Sequence, residues 1–283
     1  PKAILSCLYE GPQLPMDKAL AVESKYFTQL QLDPVSRNMI RTLFINKGKA
    51  DKLMHRPEGV PKTTFGKIGV IGAGLMGAGI AYHCARLGIE TVLIDRDQAA
   101  ADKGKAYASK RLERDISKGR STQDKADAIL ARIHPGTDYA ALADVELVVE
   151  AVFEDRALKA EITRKLDAVL APHAVIASNT SALPISELAE AGAYPENFIG
   201  MHFFSPVERM PLVEIVRGRK TSPATLARAL DLAQAMKKTP IVVNDGPGFF
   251  TSRFIGAYIN ESLAMVTEGI NPALIENAAK MAG

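Results

Sequence analysis

Short apolar runs alternate with amphipathic stretches along most of the chain from Lys67 onwards. Seven runs have the length and composition of strands, namely 67–72, 90–95, 145–150, 174–179, 198–204, 212–217 and 240–244. Apolar positions at helical spacing lie between them, over 75–88, 97–118, 122–132, 155–170, 184–191 and 222–237. Several strands, such as 147–149, are apolar throughout, which suits a parallel sheet covered on both faces. This alternation predicts an α/β fold.

The segments on either side of this region are predicted to be helical. Helices are expected over 16–32, from Pro34 onwards, over 249–268 and over 272–282. Residues 55–61 have the proline and glycine content of a linker. We therefore divide the chain into 1–62, 63–244 and 245–283. Because the last forty residues cannot bury much apolar surface, and the chain starts at Pro1 without a methionine, we expect a fragment with a truncated helical domain at its end.

A glycine-rich turn joins the first strand of the alternating region to its first helix. In Gly72-x-Gly74-x-x-Gly77, the first glycine permits a tight turn, the second lets the backbone approach a pyrophosphate, and the third lets helix and strand pack closely. The second strand ends in Asp95, where a carboxylate can accept hydrogen bonds from ribose hydroxyls. The context predicts a Rossmann-type, doubly wound sheet that binds a dinucleotide; an ordinary glycine-rich turn is the alternative. Arg96 raises the possibility of NADP, but Asp95 would repel a 2′-phosphate, so NAD is favoured.

Polar residues at the carboxyl ends of the later strands are candidates for the chemistry, since ligands of open α/β sheets bind there. Ser181 follows one strand, His202 lies near the end of the next, and Glu214 lies on the strand after that. A histidine can take the hydroxyl proton of an alcohol, and a carboxylate on its other nitrogen would orient it. Each residue also has an ordinary structural explanation. His202 could be a histidine with a purely structural hydrogen bond, Glu214 could be exposed on an edge strand, and Ser181 could lie near the start of a helix as part of its cap.

Composition excludes several classes of function. A formal charge of +3 without an aromatic-rich basic stripe argues against nucleic acid as a partner. Cys7 and Cys84 are too few for a disulfide framework and suit a reducing compartment, so a cytoplasmic location is expected. No cluster with metal-ligand spacing is visible in the sequence, and the longest apolar run, 68–82, is too short to cross a bilayer.

The predicted helix 97–118 and the residues after it are strongly basic. The cations are Lys103, Lys105, Lys110, Arg111, Arg114, Lys118 and Arg120. A solvated helix face is the favoured interpretation, and a landing site for the phosphates of an anionic substrate is the alternative.

With these motifs together, the chain resembles the 3-hydroxyacyl-CoA dehydrogenase family. The matching segments are GAGLMGAGIA at 72–81, VFE at 152–154, SNTSALPI at 178–185, MHFFSPVERMPLVEIV at 201–216 and DGPGFFTSR at 245–253. The resemblance covers roughly residues 67–283. It implies NAD as cofactor and an acyl-CoA as substrate, with His202 and Glu214 as the catalytic pair and Ser181 beside them.

The resemblance also implies which residues approach the ligands. Those near NAD would be Gly72, Gly74, Leu75, Met76, Gly77, Asp95, Val152, Phe153, Glu154, Lys159, Asn179, Ser181 and Ser205. Ser181 and Ser252 would contact the substrate. Two of these positions depart from the commonest family pattern, which has asparagine where this chain has Ser205 and Ser252.

Both departures resemble the branch found in multifunctional fatty-acid oxidation α-subunits. In that branch, residues 1–60 would be the helical end of an enoyl-CoA hydratase lobe. The resemblance then implies fatty acid β-oxidation, a thiolase subunit as a partner, and a homo-oligomer in the full-length protein; a eukaryotic version would lie in the mitochondrial matrix. Two other functions stay open: a small 3-hydroxyacid dehydrogenase, and an NAD-binding module that does not turn over as an isolated fragment.

Overall fold

The computed structural model describes residues 1–282, and its contacts divide the chain into two units, Pro1–Met54 and His55–Gly283. The first unit is helical. Its α-helices are α1 (Lys2–Glu10), α2 (Met16–Leu32), α3 (Pro34–Met39) and α4 (Lys47–Asp51), with a π-helical stretch at Ile40–Asn46 between the last two. The predicted helix 16–32 has the same bounds as α2, whereas α1 was not predicted. Most of the unit's large apolar side chains are exposed, including Leu5, Phe27 and Phe44.

The second unit is built around one eight-stranded sheet. The strands are β1 (Lys67–Ile71), β2 (Glu90–Ile94), β3 (Ile133–Gly136), β4 (Leu147–Glu150), β5 (Val175–Ser178), β6 (Phe198–Phe203), β7 (Leu212–Arg217) and β8 (Thr239–Asn244). Their order is β3-β2-β1-β4-β5-β6-β7-β8, and every pair is parallel except β6 with β7. The Rossmann-type fold is therefore confirmed.

The strand β3 is the element of the sheet that the apolar pattern did not predict. Its four residues, Ile-His-Pro-Gly, lack alternation and include two residue types that weaken strands. A strand of this kind is tolerated because β3 lies at the edge of the sheet and pairs with β2 alone.

Helices lie between the strands at the predicted places along the chain, with ends that differ by a few residues. They are α5 (Leu75–Arg86), α6 (Gln98–Ser117), α7 (Gln123–Leu130), α8 (Arg156–Asp167), α9 (Ile185–Ala189) and α10 (Pro223–Ala235). Their starts follow ordinary capping chemistry. Asp97 accepts a hydrogen bond from Ala100 N at the start of α6, and Asp155 accepts one from Leu158 N at the start of α8.

The linker before β1 is fixed to the sheet unit. The buried carboxylate of Asp231 on α10 accepts hydrogen bonds from Arg56 Nε at 2.7 Å and from Thr63 N at 2.9 Å. Residues 55–62, which the sequence analysis grouped with 1–62, therefore have their contacts in the second unit, and the contact division falls between residues 54 and 55.

Two helices follow the sheet, α11 (Thr251–Thr267) and α12 (Pro272–Ala282). Their apolar side chains are largely exposed, as for Phe254 and Leu263. Among residues 1–282, no helix combines the length and apolar character needed to cross a bilayer.

Candidate active site

The turn after β1 is closed so tightly that two of its glycines have no room for a side chain. A Cβ on Gly77 would lie 1.7 Å from the carbonyl oxygen of Gly72. Gly72 itself has φ of +92°, a backbone conformation that favours glycine, and a Cβ there would lie 2.7 Å from Ala151 O. The first turn of α5 is thereby held against the end of β1.

The outer part of the same turn is open and fits a dinucleotide. Gly74, which precedes α5, has no atom within 4 Å of an added Cβ, and no side chain caps the helix start. The amides of the first helical turn are thus free to bind phosphate. Leu75 is exposed and Met76 half-buried beside them.

Asp95 lies next to this turn at the end of β2. Its Oδ2 accepts a hydrogen bond from Ala73 N at 2.6 Å, and its Oδ1 accepts one from Arg96 N at 2.7 Å. The guanidinium of Arg96 instead pairs with Asp97, Nε to Oδ2 at 3.1 Å. The carboxylate is therefore fixed beside the glycines, and the neighbouring cation is engaged elsewhere.

Glu154, between β4 and α8, organises the segment that carries Ser181. Its Oε1 accepts hydrogen bonds from Thr180 Oγ1 at 2.6 Å, Ser181 N at 2.9 Å and Ala182 N at 3.2 Å, and the Ser181 hydroxyl lies at 3.3 Å. Burial alone would raise the pKa of Glu154, but the Thr180 hydrogen bond and the charge of Lys159 outweigh it and hold the pKa below its ordinary value. Val152 and Phe153 precede it, and Phe153 is 86 % exposed.

Lys159 is buried on α8 and pairs with two carboxylates. Its Nζ lies 2.8 Å from Glu150 Oε1 and 3.5 Å from Glu154 Oε2. Ser178 Oγ donates to Glu150 Oε2 at 2.7 Å. Lys159, which the resemblance places near NAD, thus contacts the end of β4 through these charges.

The remaining predicted ligand contacts lie just after β5, just after β6 and in the first turn of α11. Asn179 Oδ1 accepts a hydrogen bond from Phe203 N at 2.9 Å and ties β5 to β6. Ser252 Oγ lies 3.4 Å from Ser181 O, so the two serines predicted to contact substrate are neighbours. Ser205 is exposed just after β6 and precedes a cis peptide bond to Pro206.

His202 and Glu214 face each other across the antiparallel pair β6–β7. They are register partners, and His202 Nδ1 lies 2.6 Å from Glu214 Oε2. Glu214 is 0 % exposed and His202 is 8 % exposed. Burial would raise the pKa of Glu214, but hydrogen bonds from His202 and Thr251 hold it below its ordinary value. The structure therefore joins an imidazole to a carboxylate that stays ionised.

The loop between these two strands is held by buried charges. Lys238, just before β8, donates from Nζ to Val207 O and, at 2.8 Å, to Met210 O. Arg111 on α6 pairs with Glu208, Nη1 to Oε1 at 2.6 Å. Arg111 is thus engaged with this loop, whereas Lys103, Lys110 and Arg114 on the same helix are exposed.

The chain's similarity to known proteins agrees with this geometry. Residues 67–246 match the family model described as 3-hydroxyacyl-CoA dehydrogenase, NAD binding domain. The chain belongs to the 3-hydroxyacyl-CoA dehydrogenase family. The matched part is that family's NAD-binding domain, and NAD is its cofactor.

Curated relatives extend the match towards the N-terminus. The chain is 38% identical over 270 residues to the fatty acid oxidation complex subunit alpha of Shewanella baltica, and similarly to that of Shewanella putrefaciens. The match covers 95% of this chain but 38% of each relative, so the chain spans well under half the length of the curated relatives it matches.

Solved structures of family members share the fold. The (S)-3-hydroxybutyryl-CoA dehydrogenase from Ralstonia eutropha is 39% identical, with a TM-score of 0.71 over 74% of both chains. The dehydrogenase part of a multifunctional enzyme from C. elegans is 26% identical, with a TM-score of 0.61 over 71% of this chain and 48% of that one.

Sequence reasoning missed three residues around this family site. Glu150 ends an apolar run, and an acid in that position is a signal of a buried, paired charge. Lys238 and Thr251 gave no such signal, because their partners are backbone carbonyls of a distant loop and a carboxylate 37 residues away. Within the part of the chain that the structure describes, no three His, Cys, Asp or Glu residues are grouped as metal ligands would be.

Proposed function

We propose that this chain carries out the NAD-dependent oxidation of an L-3-hydroxyacyl-CoA to a 3-ketoacyl-CoA, in fatty acid β-oxidation. One observation carries the proposal: the 2.6 Å contact between His202 Nδ1 and the ionised Glu214. With Nδ1 engaged by the carboxylate, Nε2 is the nitrogen that can accept a proton from an alcohol.

His202 would act as the general base. Its Nε2 takes the proton of the 3-hydroxyl group, and the resulting imidazolium is stabilised by the Glu214 carboxylate on the other side of the ring. The Ser181 hydroxyl, exposed next to Glu154, would donate a hydrogen bond to the substrate oxygen. NAD, when bound, supplies the nicotinamide carbon that accepts the hydride from the substrate.

The cofactor would be held mainly by backbone groups. The free amides at the start of α5, after Gly74, suit the pyrophosphate, and Asp95 suits the hydroxyls of the adenosine ribose. A 2′-phosphate would meet the negative charge of Asp95, which favours NAD over NADP.

The wider setting is also part of the proposal. The curated relatives are named subunit alpha of a fatty acid oxidation complex. With the resemblance of residues 1–60 to the end of a hydratase lobe, we propose that the full-length protein contains that lobe and has a thiolase subunit as partner. A homo-oligomer and a cytoplasmic location are proposed with it, or the mitochondrial matrix in a eukaryote.

The test is NADH formation by the chain with L-3-hydroxybutyryl-CoA and longer acyl-CoAs. We expect turnover that falls on the order of 10²-fold or more in His202→Ala and is unchanged in His134→Ala, on the exposed edge strand. Activity that survives His202→Ala would remove His202 from its role.

Two outcomes would favour the other functions. Oxidation of free 3-hydroxybutyrate in preference to its CoA ester would point to a small 3-hydroxyacid dehydrogenase. NAD binding in a calorimeter without turnover of any of these substrates would point to a binding module.

A further inference from the structure

Glu214 is surrounded by hydrogen-bond donors from one short segment. Besides His202, it accepts hydrogen bonds from Phe250 N at 3.2 Å, Thr251 N at 2.9 Å and Thr251 Oγ1 at 2.7 Å. An ionised carboxylate that is fully buried needs such partners, because desolvation strongly disfavours its charge. Three of its four donors come from the start of α11, outside the strand pair that carries the catalytic residues.

The two carboxylate oxygens are held by different kinds of group. The backbone amides of Phe250 and Thr251 bind Oε1, whereas the Thr251 hydroxyl and His202 Nδ1 share Oε2. With Oε1 alone anchored, the carboxylate could still pivot. The Thr251 hydroxyl fixes the second oxygen, and with it the plane of the carboxylate that faces the imidazole.

The segment that delivers Thr251 is itself anchored. The Asp245 carboxylate accepts hydrogen bonds from Ile185 N and Ser186 N, both at 2.8 Å, at the start of α9. Gly248 N donates to Ala182 O at 3.2 Å, next to Ser181. These contacts tie the end of β8 to the loop at the candidate active site.

Phe249 adds backbone strain to this arrangement. It has a φ of 48°, which is uncommon for a bulky residue, and its buried ring lies 6.0 Å from the His202 ring. A conformation of this kind persists where its surroundings impose it, often at a functional site. Here the turn at Phe249 aims the next two amides at Glu214.

We propose that Thr251 is a positioning residue for the catalytic pair: its hydroxyl holds Glu214 Oε2 against His202 Nδ1. This inference rests on the proposed function. It makes α11 part of the catalytic apparatus through one side chain that acts on His202 by way of Glu214.

The kinetic test uses variants that separate the hydroxyl from the rest of the side chain. Thr251→Val should lower kcat about tenfold with the KM values for acyl-CoA and NAD unchanged, because the lost hydrogen bond is to a charged group. Thr251→Ser should retain most of kcat. Thr251→Ala provides the same loss of the hydroxyl if the valine variant does not fold. The matched control is Thr267→Val on the same helix, about 24 Å away at 1.5 Å per residue.

A double-mutant cycle shows whether Thr251 acts through Glu214. In a Glu214→Gln background, Thr251→Val should cause little further loss of kcat, since the carboxylate it positions is gone. The same tenfold loss in both backgrounds, or a loss shared by Thr267→Val, would overturn the proposal.

A spectroscopic readout keeps this inference separate from the proposed function. The Nδ1 proton of His202, followed by NMR in the chain without NAD or substrate, should give a sharp, strongly downfield signal in the unmodified protein and in Thr251→Ser. It should broaden or move upfield in Thr251→Val and Thr251→Ala. An unchanged signal in Thr251→Val and Thr251→Ala would overturn the positioning role, even if the enzyme is active. If the signal changes as expected but the chain does not oxidise hydroxyacyl-CoA, the result counts against the proposed function alone.

Discussion

The turn between β1 and α5 and the strand pair β6–β7 lie in the same unit, but different groups give each its properties. At the turn, the important features are backbone amides and the absence of side chains, as at Gly74 and Gly77. At the strand pair, they are buried side chains with fixed partners, such as Glu214 with its four donors. The first region should therefore be sensitive to added atoms, and the second to removed donors. A tolerated side chain at Gly77, or a tolerated loss of a donor to Glu214, would contradict this contrast.

The largest effect is expected at Gly77. Gly77→Ala places a Cβ 1.7 Å from Gly72 O, so we expect a loss of stability of about 3 kcal/mol or more together with loss of NAD binding. Gly74→Ala is the matched control, because that position has open space. It should leave the thermal unfolding midpoint unchanged and weaken only NAD binding, measured by calorimetry. Equal destabilisation by both variants would contradict this account of the turn.

Glu214→Gln tests the other region. The substitution keeps the size of the side chain but removes the charge that stabilises the imidazolium, so kcat should fall on the order of 10²-fold or more. The Kd for NAD should stay as it is, since Glu214 lies away from the glycine turn. A comparable loss of NAD affinity would show that the two regions are not separable.

The stability of the protein should depend on pH through Glu154, another carboxylate held by fixed donors. The pKa of Glu154 is lowered from 4.5 in the folded protein, so its contribution to stability is present above pH 4.5 and is lost as the pH falls through the lower folded value. Glu154→Gln should therefore be less stable than the unmodified chain at neutral pH, and the gap should close below about pH 4.5. Urea unfolding at several pH values measures it, with Glu113→Gln on the exposed face of α6 as control. A gap that does not depend on pH would refute the assignment.

The smallest effect concerns the basic helix α6. Reversing the charges of Lys103, Lys110 and Arg114 should raise the KM for acyl-CoA a few-fold at low salt, and less at high salt, if these cations attract the coenzyme A phosphates. Arg111 is left out because it pairs with Glu208. An unchanged KM at low salt would leave the helix as a solvated face.

The fold was readily predicted from the sequence because the strands of a covered parallel sheet are short, apolar and separated by helices. The exception, β3, shows the limit of that reasoning. Its pairing depends on the neighbouring β2 and on an edge position, and neither is visible in four residues that contain Pro135 and Gly136. This strand therefore forms because of its pairing with β2 and not because of its own sequence pattern.

For the candidate site, the sequence predicted the residues that resemble a family motif, but their assigned roles remain predictions. His202, Glu214 and Ser181 stood out because their chemistry is recognisable from residue type and position at strand ends. Thr251 and Lys238 did not, since a threonine and a lysine acquire their importance only from the groups that folding brings to them.

The antiparallel pairing of β6 with β7 makes the contact between His202 and Glu214 sensitive to insertions and deletions. Because side chains alternate between the two faces of a strand, deleting or inserting one residue within either strand would move His202 or Glu214 to the opposite face of the sheet. His202 and Glu214 thus stay register partners only while the number of residues along both strands is kept.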